Sequence, residues 1–322
     1  MKIAVDVMGG DLGPEPLIKG CVEFVRNTDT KVIIVGDEKI TYRVLKETEA
    51  DMSRIEIAHT TQYVGMEDRI SKVLRRKKLA SIGIAARLVK SGYCDGLFTI
   101  GNTGGVISWS NVILKKIKGI KKTALCAVIP YPGGITVLVD SGASIRCTGE
   151  NLAHFAVMGD VLAKKILGLE NPRIGLLNIA EEEGKGKFKI QRAHHHLQKM
   201  DLHYIGFIEG NDLTSGSVDV AVCDGFVGNV LLKFSEGYLR AFKKYGEVAA
   251  EIDKNYIRLL GSSSNRVSSL NAAPLLGVNG VVMVGHGASN STDFESGLNI
   301  TRMFIQSGTV KMLRERFINR NV

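Results

Sequence analysis

Short apolar runs that do not alternate with polar residues are interleaved with longer stretches of helical period from one end of this chain to the other. Runs near residues 2–6, 31–36, 54–58, 95–100, 123–129, 135–140, 173–178, 203–207, 218–223 and 278–285 read as strands. Unbroken apolar strands of this length are covered on both faces, as in parallel sheets flanked by helices. Stretches near 15–27, 38–48, 67–76, 79–92, 104–117, 150–166, 186–199, 227–249 and 292–316 read as helices. Pro14 and Pro16 fall where a helix start tolerates proline, and Gly119, Gly133 and Gly134 punctuate connections. Such alternation predicts an α/β fold, a three-layer α/β/α sandwich with a mostly parallel central sheet. With six prolines in 322 residues and no Gly/Ser-rich linker, a single domain over 1–322 is expected.

Residues 227–260 read in two ways. Val227, Val230, Leu231, Phe234, Tyr238, Phe242, Tyr245, Ala249 and Ile252 recur at helical spacing, with Lys243, Lys244, Lys254 and Arg258 between or after them. Either this helix packs on the sheet, or part of it projects as an amphipathic element toward a membrane or partner.

Four of the apolar runs end in a small polar cluster rich in glycine. Val5-Asp6 leads into Met8-Gly9-Gly10-Asp11, and Thr99-Ile100 into Gly101-Asn102-Thr103-Gly104. Val139-Asp140 leads into Ser141-Gly142, and Cys223-Asp224 into Gly225. Each cluster opens a loop at a strand's C-terminal end, where open α/β sheets bind ligands. Glycines there let backbone N–H groups approach an anion, and the helix that follows adds its positive N-terminus. A phosphate-bearing or otherwise anionic ligand is the expectation.

Composition narrows the setting. Five cysteines, Cys21, Cys94, Cys126, Cys147 and Cys223, include no CxxC pair and read as free thiols in a reducing compartment. No stretch approaches the roughly 18 uninterrupted apolar residues of a spanning helix, so a cytoplasmic protein is expected. The formal net charge is +9, and between Arg69 and Lys122 thirteen basic residues face one acid, Asp95. That block is either a solvated face or a surface for an acidic macromolecule or anionic lipid. Nucleic acid is disfavoured, because the chain lacks a zinc pattern, an RNP-like motif and interleaved aromatics.

The common catalytic signatures are absent: no G-x-S-x-G elbow, H-E-x-x-H, Walker A or G-x-G-x-x-G occurs. His194-His195-His196 cannot present i, i+4 ligands, so no metal site is expected there and a solvated helix face is the better account. Lys185, between Gly184 and Gly186, either leans over an anion as a point charge or sits in a solvated turn. His286, between Gly285 and Gly287, is either presented to a ligand or structural. Asp6, Asp11, Asp140 and Asp224 repel phosphate; they either shape their loops by accepting backbone N–H bonds or orient Lys185, His286 or backbone donors.

Taken together, six ordered blocks resemble the bacterial phosphate acyltransferase family, the acyl-carrier-protein:phosphate transacylases of phospholipid synthesis. They are Met1 to Asp6 with Met8 to Asp11 and Pro14; Leu74-Arg75-Arg76-Lys77-Lys78; Gly101 to Gly104; Asn171 to Asn178 with Lys185-Gly186; Val222 to Phe226 with Gly228-Asn229-Val230; and His286-Gly287. The resemblance implies a single α/β/α domain, isocitrate dehydrogenase-like or Rossmann-like, assembled as a homodimer. It implies conversion of acyl carrier protein thioester and inorganic phosphate to acyl-phosphate, without a cofactor or metal. It also implies peripheral membrane contact through a projecting helical region at about 238–270, and a membrane acyltransferase downstream.

Candidate roles follow. Lys185 is expected to hold phosphate or oxyanion charge, Asn102 and Thr103 to donate in the pocket, and His286 to act as donor or thiol acid. Gly9, Gly10, Gly104, Gly225 and Gly228 would allow close backbone approach, with Asn229 a further donor and Asp11, Asp140 and Asp224 at the same loops. Arg75, Arg76, Lys77 and Lys78 would meet the acidic carrier protein. The chain departs from the family's usual pattern at Leu12, Ser144, Arg146 and Lys187, and the region after 250 is shorter. Two rivals therefore stand beside acyl-carrier chemistry: a phosphotransacylase for a short acyl thioester, and a non-catalytic membrane or partner scaffold. A dehydrogenase lacks any cofactor fingerprint.

Overall fold

A computed structural model describes residues 1–65, 67–68, 70–131, 133–243 and 272–318. In chain order the first elements are β1 (Lys2–Asp6), α1 (Pro14–Asn27), β2 (Lys31–Gly36), α2 (Glu38–Glu47), β3 (Ile55–His59), α3 (Ile70–Arg76) and α4 (Ser81–Lys90). Next come β4 (Gly96–Thr99), α5 (Thr103–Ile113), β5 (Ala124–Tyr131), β6 (Gly134–Val139), α6 (Gly149–Ile166), β7 (Ile174–Leu177) and α7 (Phe188–Leu197). Then follow β8 (Tyr204–Ile208), β9 (Val220–Val222), α8 (Gly225–Lys243), β10 (Ala273–Leu276), β11 (Val281–Val284), α9 (Ser291–Ser307) and α10 (Thr309–Ile318). The described residues form two compact units, 1–117 with 272–310, and 118–243 with 311–318.

In the first unit the strands run in the order β3-β2-β1-β4-β11-β10, all parallel except β10. The apolar runs behave as two-sided burial requires: Ile3 to Val5, Val32 to Val35 and Leu97 to Phe98 are buried. Helix α1 packs on both α2 and α9, and α4 packs with α5; both groups contact the strands. Side-chain caps open α2 and α9, whereas α1 opens on proline without one. Asp37 accepts the Lys39 N–H at 2.8 Å before α2, and Asn290 exchanges bonds with Asp293 before α9. Phe98 and Phe294 meet at 4.8 Å between ring centroids, joining α9 to β4 in the core.

In the second unit the order is β5-β6-β9-β7-β8, with β5 antiparallel to β6 and the rest parallel. Helix α6, opened by a Thr148–Asn151 capping box, packs against β9, β6 and α7. Leu231 and Leu232 of α8 pack on a cluster of Ile129, Leu138, Ile208 and Leu213.

Mostly parallel sheets flanked by helices are therefore what the apolar pattern predicted. Two details differ from it. The helix expected at 292–316 is two helices, because Gly308 takes a left-handed conformation (φ 70°) that ends α9. The strand β10 was not anticipated, since Pro274 in a four-residue run argues against a paired strand; it lies antiparallel to β11.

Helix α8 covers the first part of the 227–260 stretch and packs on the sheet there, the first of its two expected readings. While Leu231 and Leu232 pack inward, Phe226, Val230, Phe234 and Tyr238 form an exposed stripe, with Phe234 71% exposed. Beyond Lys243, the projecting region expected at about 238–270 lies outside the described residues. No helix among the described residues is long and apolar enough to cross a membrane.

Candidate active site

In the first unit the ends of β1, β4 and β11 are tied together. The buried Asp6 carboxylate accepts the Met8 N–H at 3.1 Å and the Thr99 hydroxyl at 3.0 Å. Burial raises its pKa, and the Ser81 hydroxyl, the Met8 N–H and the Thr99 hydroxyl counter part of that rise. The Asp11 N–H donates to the Gly287 carbonyl at 2.9 Å, and the Gly285 N–H to the Thr99 carbonyl at 2.8 Å. Gly9 lies against Gly101, where a Cβ would overlap the Gly101 Cα. That backbone contact is what glycine at position 9 allows, while Gly10 makes room for the Ile100 and Leu17 side chains.

Asn102 caps α5 at this junction. Its Oδ1 accepts the Gly105 N–H at 3.0 Å, and its amide donates to the Gly65 carbonyl at 3.3 Å. Thr103 and Gly104, half-buried, form the first turn, whose N–H groups the helix cannot use internally. His286 is exposed on the β11 loop. Its Nδ1 accepts the Ala288 N–H at 3.3 Å, a bond that places the proton of the neutral ring on Nε2. Its carbonyl accepts the Ser289 hydroxyl at 2.6 Å, which pins the loop.

The second unit carries the other candidates. Asp140, fully buried, accepts four backbone N–H groups: Leu125 at 2.9 Å, Gly142 at 3.1 Å, Ala143 at 2.9 Å and Ser144 at 2.6 Å. Burial raises its pKa against the pull of those four donors. Asp224 caps α8 through the Phe226 and Val227 N–H groups at 3.1 and 3.0 Å, and its other oxygen is ion-paired to Lys189. The two loops meet at Gly225, whose N–H donates to the Ser144 carbonyl at 3.0 Å, and at Gly228, packed on the Asp140 carbonyl. Asn229 is exposed in the first turn of α8, beside Gly142.

Asp6 and Asp140 thus take the loop-shaping role, and the cation Asp224 holds is Lys189 rather than Lys185. Lys185 is exposed in the turn between Gly184 and Gly186, both with positive φ, and its carbonyl accepts from Asn178 and Gln191. Lys189 escaped the sequence reading because it stands in the first turn of a helix, outside any glycine cluster. Its spacing of four from Lys185 was the available signal.

Burial raises the Asp224 pKa, but Lys189 and the Val227 and Phe226 N–H groups overcome it, so the folded value lies below the ordinary one. Such a group stabilises above the unfolded pKa of about 3.9, and that contribution is lost as pH falls through the folded value. Lys189→Met should therefore lower unfolding stability by about 2 kcal/mol at pH 7. Urea titrations should find the deficit shrinking below about pH 4; an equal deficit at both pH values would refute the pairing.

Of the basic block, Arg75, Arg76 and Lys78 are exposed, while Lys77 is half-buried and paired with Asp68 at 2.6 Å. The departures also sort by position. Ser144 is buried with its hydroxyl on the Thr123 carbonyl at 3.0 Å, whereas Leu12, Arg146 and Lys187 are exposed. The histidine run divides: His195 is exposed, but His194 is buried, stacked on Phe207 at 4.4 Å and bonded to the Tyr204 hydroxyl at 2.7 Å. The solvated face expected for the run is therefore wrong for His194, because helix α7 turns that position inward onto β8. No metal-ligand cluster occurs among the described residues. Nor is any of the five cysteines poised as a thiolate: burial pushes the half-buried Cys147 up to about 11 and the other four up as well.

The profile of the family described as "Fatty acid synthesis protein" matches residues 1–312. A phosphate acyltransferase of Desulforamulus reducens is 37% identical over 329 aligned residues, covering 99% of this chain and 98% of that protein. A phosphate acyltransferase of Clostridioides difficile is 35% identical, covering 93% and 91%. Among solved structures, a phosphotransacetylase from Streptococcus pyogenes superposes with a TM-score of 0.64 at 18% identity, covering 95% of this chain and 94% of that one. At that identity the likeness is one of fold.

Proposed function

The chain belongs to the fatty acid synthesis protein family, its relatives are phosphate acyltransferases, and from that premise we propose the following reaction. An acyl group passes from acyl carrier protein to inorganic phosphate, giving acyl-phosphate and free carrier for phospholipid synthesis. The observation that carries the reading is the meeting of the β1, β4 and β11 ends at the Asn102-capped turn of α5.

Phosphate is already anionic near neutral pH and needs little general-base help. A thiol of pKa about 8.5 leaves with little protonation. The enzyme has to place a phosphate oxygen against the thioester carbonyl and stabilise the oxyanion. Attack forms the phosphate–carbon bond, and collapse of the tetrahedral intermediate breaks the carbon–sulfur bond and expels thiolate. The Thr103 and Gly104 N–H groups and the Asn102 loop hold the anion, and His286 Nε2–H donates to the oxyanion or the departing sulfur. The exposed Lys185 would add a cation for phosphate or oxyanion. With every cysteine thiol shifted upward, direct attack without a covalent enzyme intermediate is the supported route.

Arg75, Arg76 and Lys78 are the proposed contacts for the acidic carrier. Homodimerisation and peripheral membrane contact belong to the same reading, and the exposed stripe of α8 supports an apolar partner surface.

The test is release of free thiol from an acyl-carrier thioester with and without phosphate. Release should rise saturably with phosphate, arsenate should substitute, and several hundred millimolar salt should slow the carrier-borne substrate more than a small thioester. If neither phosphate nor arsenate accelerates thiol loss, the reading fails. A faster reaction with an acetyl thioester would replace acyl carrier protein as the donor.

A further inference from the structure

A cleft of about 530 Å³ opens in the first unit beside α3, lined by Thr61, Gln62, Tyr63, Gly65, Glu67, Asp68 and Lys77. We propose that it receives the pantetheine arm of the thioester donor, an inference that rests on the transacylase reading above. Such an arm is a linear chain bearing two secondary amides and a hydroxyl, uncharged until its distal phosphate. It asks for neutral donors and acceptors rather than ions.

The lining has that character. Thr61 and Tyr63 bring hydroxyl groups, and Gln62 brings a side-chain amide already oriented by the Leu79 N–H on its Oε1 at 3.3 Å. That bond uses the acceptor end and leaves the NH2 end to meet an amide carbonyl. Of the three charged residues, Lys77 and Asp68 neutralise each other, with Lys77 Nζ 2.6 Å from Asp68 Oδ2 and also donating to the Tyr63 carbonyl at 2.9 Å, while Glu67 is exposed to solvent. Lys77, expected from the sequence to meet the carrier, thereby acts as a clamp on the 61–68 loop, and Asp68 in turn accepts the Gly65 N–H at 2.7 Å. Lys77 lowers the Asp68 pKa, so the clamp stays ionised at neutral pH.

Position completes the case. The Gly65 carbonyl accepts the Asn102 amide, and the buried Val64 packs on Gly105, so this loop is fastened to the first turn of α5. A sulfur at that end of the cleft is next to where phosphate is proposed to bind. Arg75, Arg76 and Lys78, exposed on either side of Lys77 in the chain, suit the phosphate at the arm's other end.

The experiment compares kcat/KM at saturating phosphate for one acyl group carried on pantetheine and on N-acetylcysteamine, which keeps only the amide nearest sulfur. Wild type should prefer the longer arm by about tenfold or more, and Gln62→Leu should lower that preference about tenfold, the scale of one lost hydrogen bond. Because both substrates are assayed on one preparation, the ratio does not depend on how much variant is folded. Equal rates for the two thioesters in wild type, or an unchanged ratio in Gln62→Leu, would overturn the assignment while phosphate-dependent release itself persisted. Loss of phosphate dependence with both substrates would instead remove the transacylase reading.

Discussion

Gly228→Ala is expected to lower the thermal midpoint by roughly 10 °C, the equivalent of about 4 kcal/mol. A Cβ at this position would overlap the Asp140 carbonyl oxygen and stand 2.9 Å from its carbon and 3.0 Å from Cys223 Sγ. None of these atoms can retreat cheaply. The Asp140 N–H is bonded to the Cys223 carbonyl at 3.1 Å, and its carboxylate grips four further N–H groups. Shifting the Asp140 backbone enough to admit a methyl would loosen several buried hydrogen bonds, each costing about 1 kcal/mol or more when left unmade. Differential scanning calorimetry is the direct measurement, and a variant melting within two degrees of wild type would show the carbonyl to be mobile.

Asn102→Ala should reduce kcat/KM about 100-fold while lowering stability by only about 1 kcal/mol. The stability loss is that of the α5 cap, the Gly105 N–H bond to Oδ1. The larger loss arises because the same side chain fastens the Gly65 loop to the turn where phosphate is proposed to sit. Asn102→Asp separates the two effects. It keeps an acceptor for the Gly105 N–H, so stability should recover, but it removes the donor to Gly65 and sets a negative charge against the anion. Its KM for phosphate should rise further still. Full activity in either variant would exclude this turn as the phosphate site.

Most of the architecture was legible in the residues because two-sided burial leaves unbroken apolar runs, and Ile3 to Val5 or Leu97 to Phe98 show it without disguise. What was missed depended on pairing or conformation that composition does not encode. Pro274 concealed β10, and a single left-handed glycine divided the last helix. The site was legible where glycine clusters marked strand ends, and Gly9 against Gly101 is the clearest instance. It was illegible where a partner comes from a distant segment. Nothing near Asp224 in the chain announces Lys189, and although Asp68 lies only nine positions before Lys77, spacing alone does not announce that the two are paired.

The four main-chain donors around Asp140 bear on how such an enzyme can change over generations. A loop anchored through its peptide groups places almost no demand on what its side chains are, since every residue but proline offers the same N–H. Ile145 and Arg146, both exposed, can therefore drift in size and charge above an unmoved frame, whereas the buried Ser144 is held by its hydroxyl bond to the Thr123 carbonyl. Lineages could retune the loop's contacts there one substitution at a time, without first surviving an unfolded ancestor.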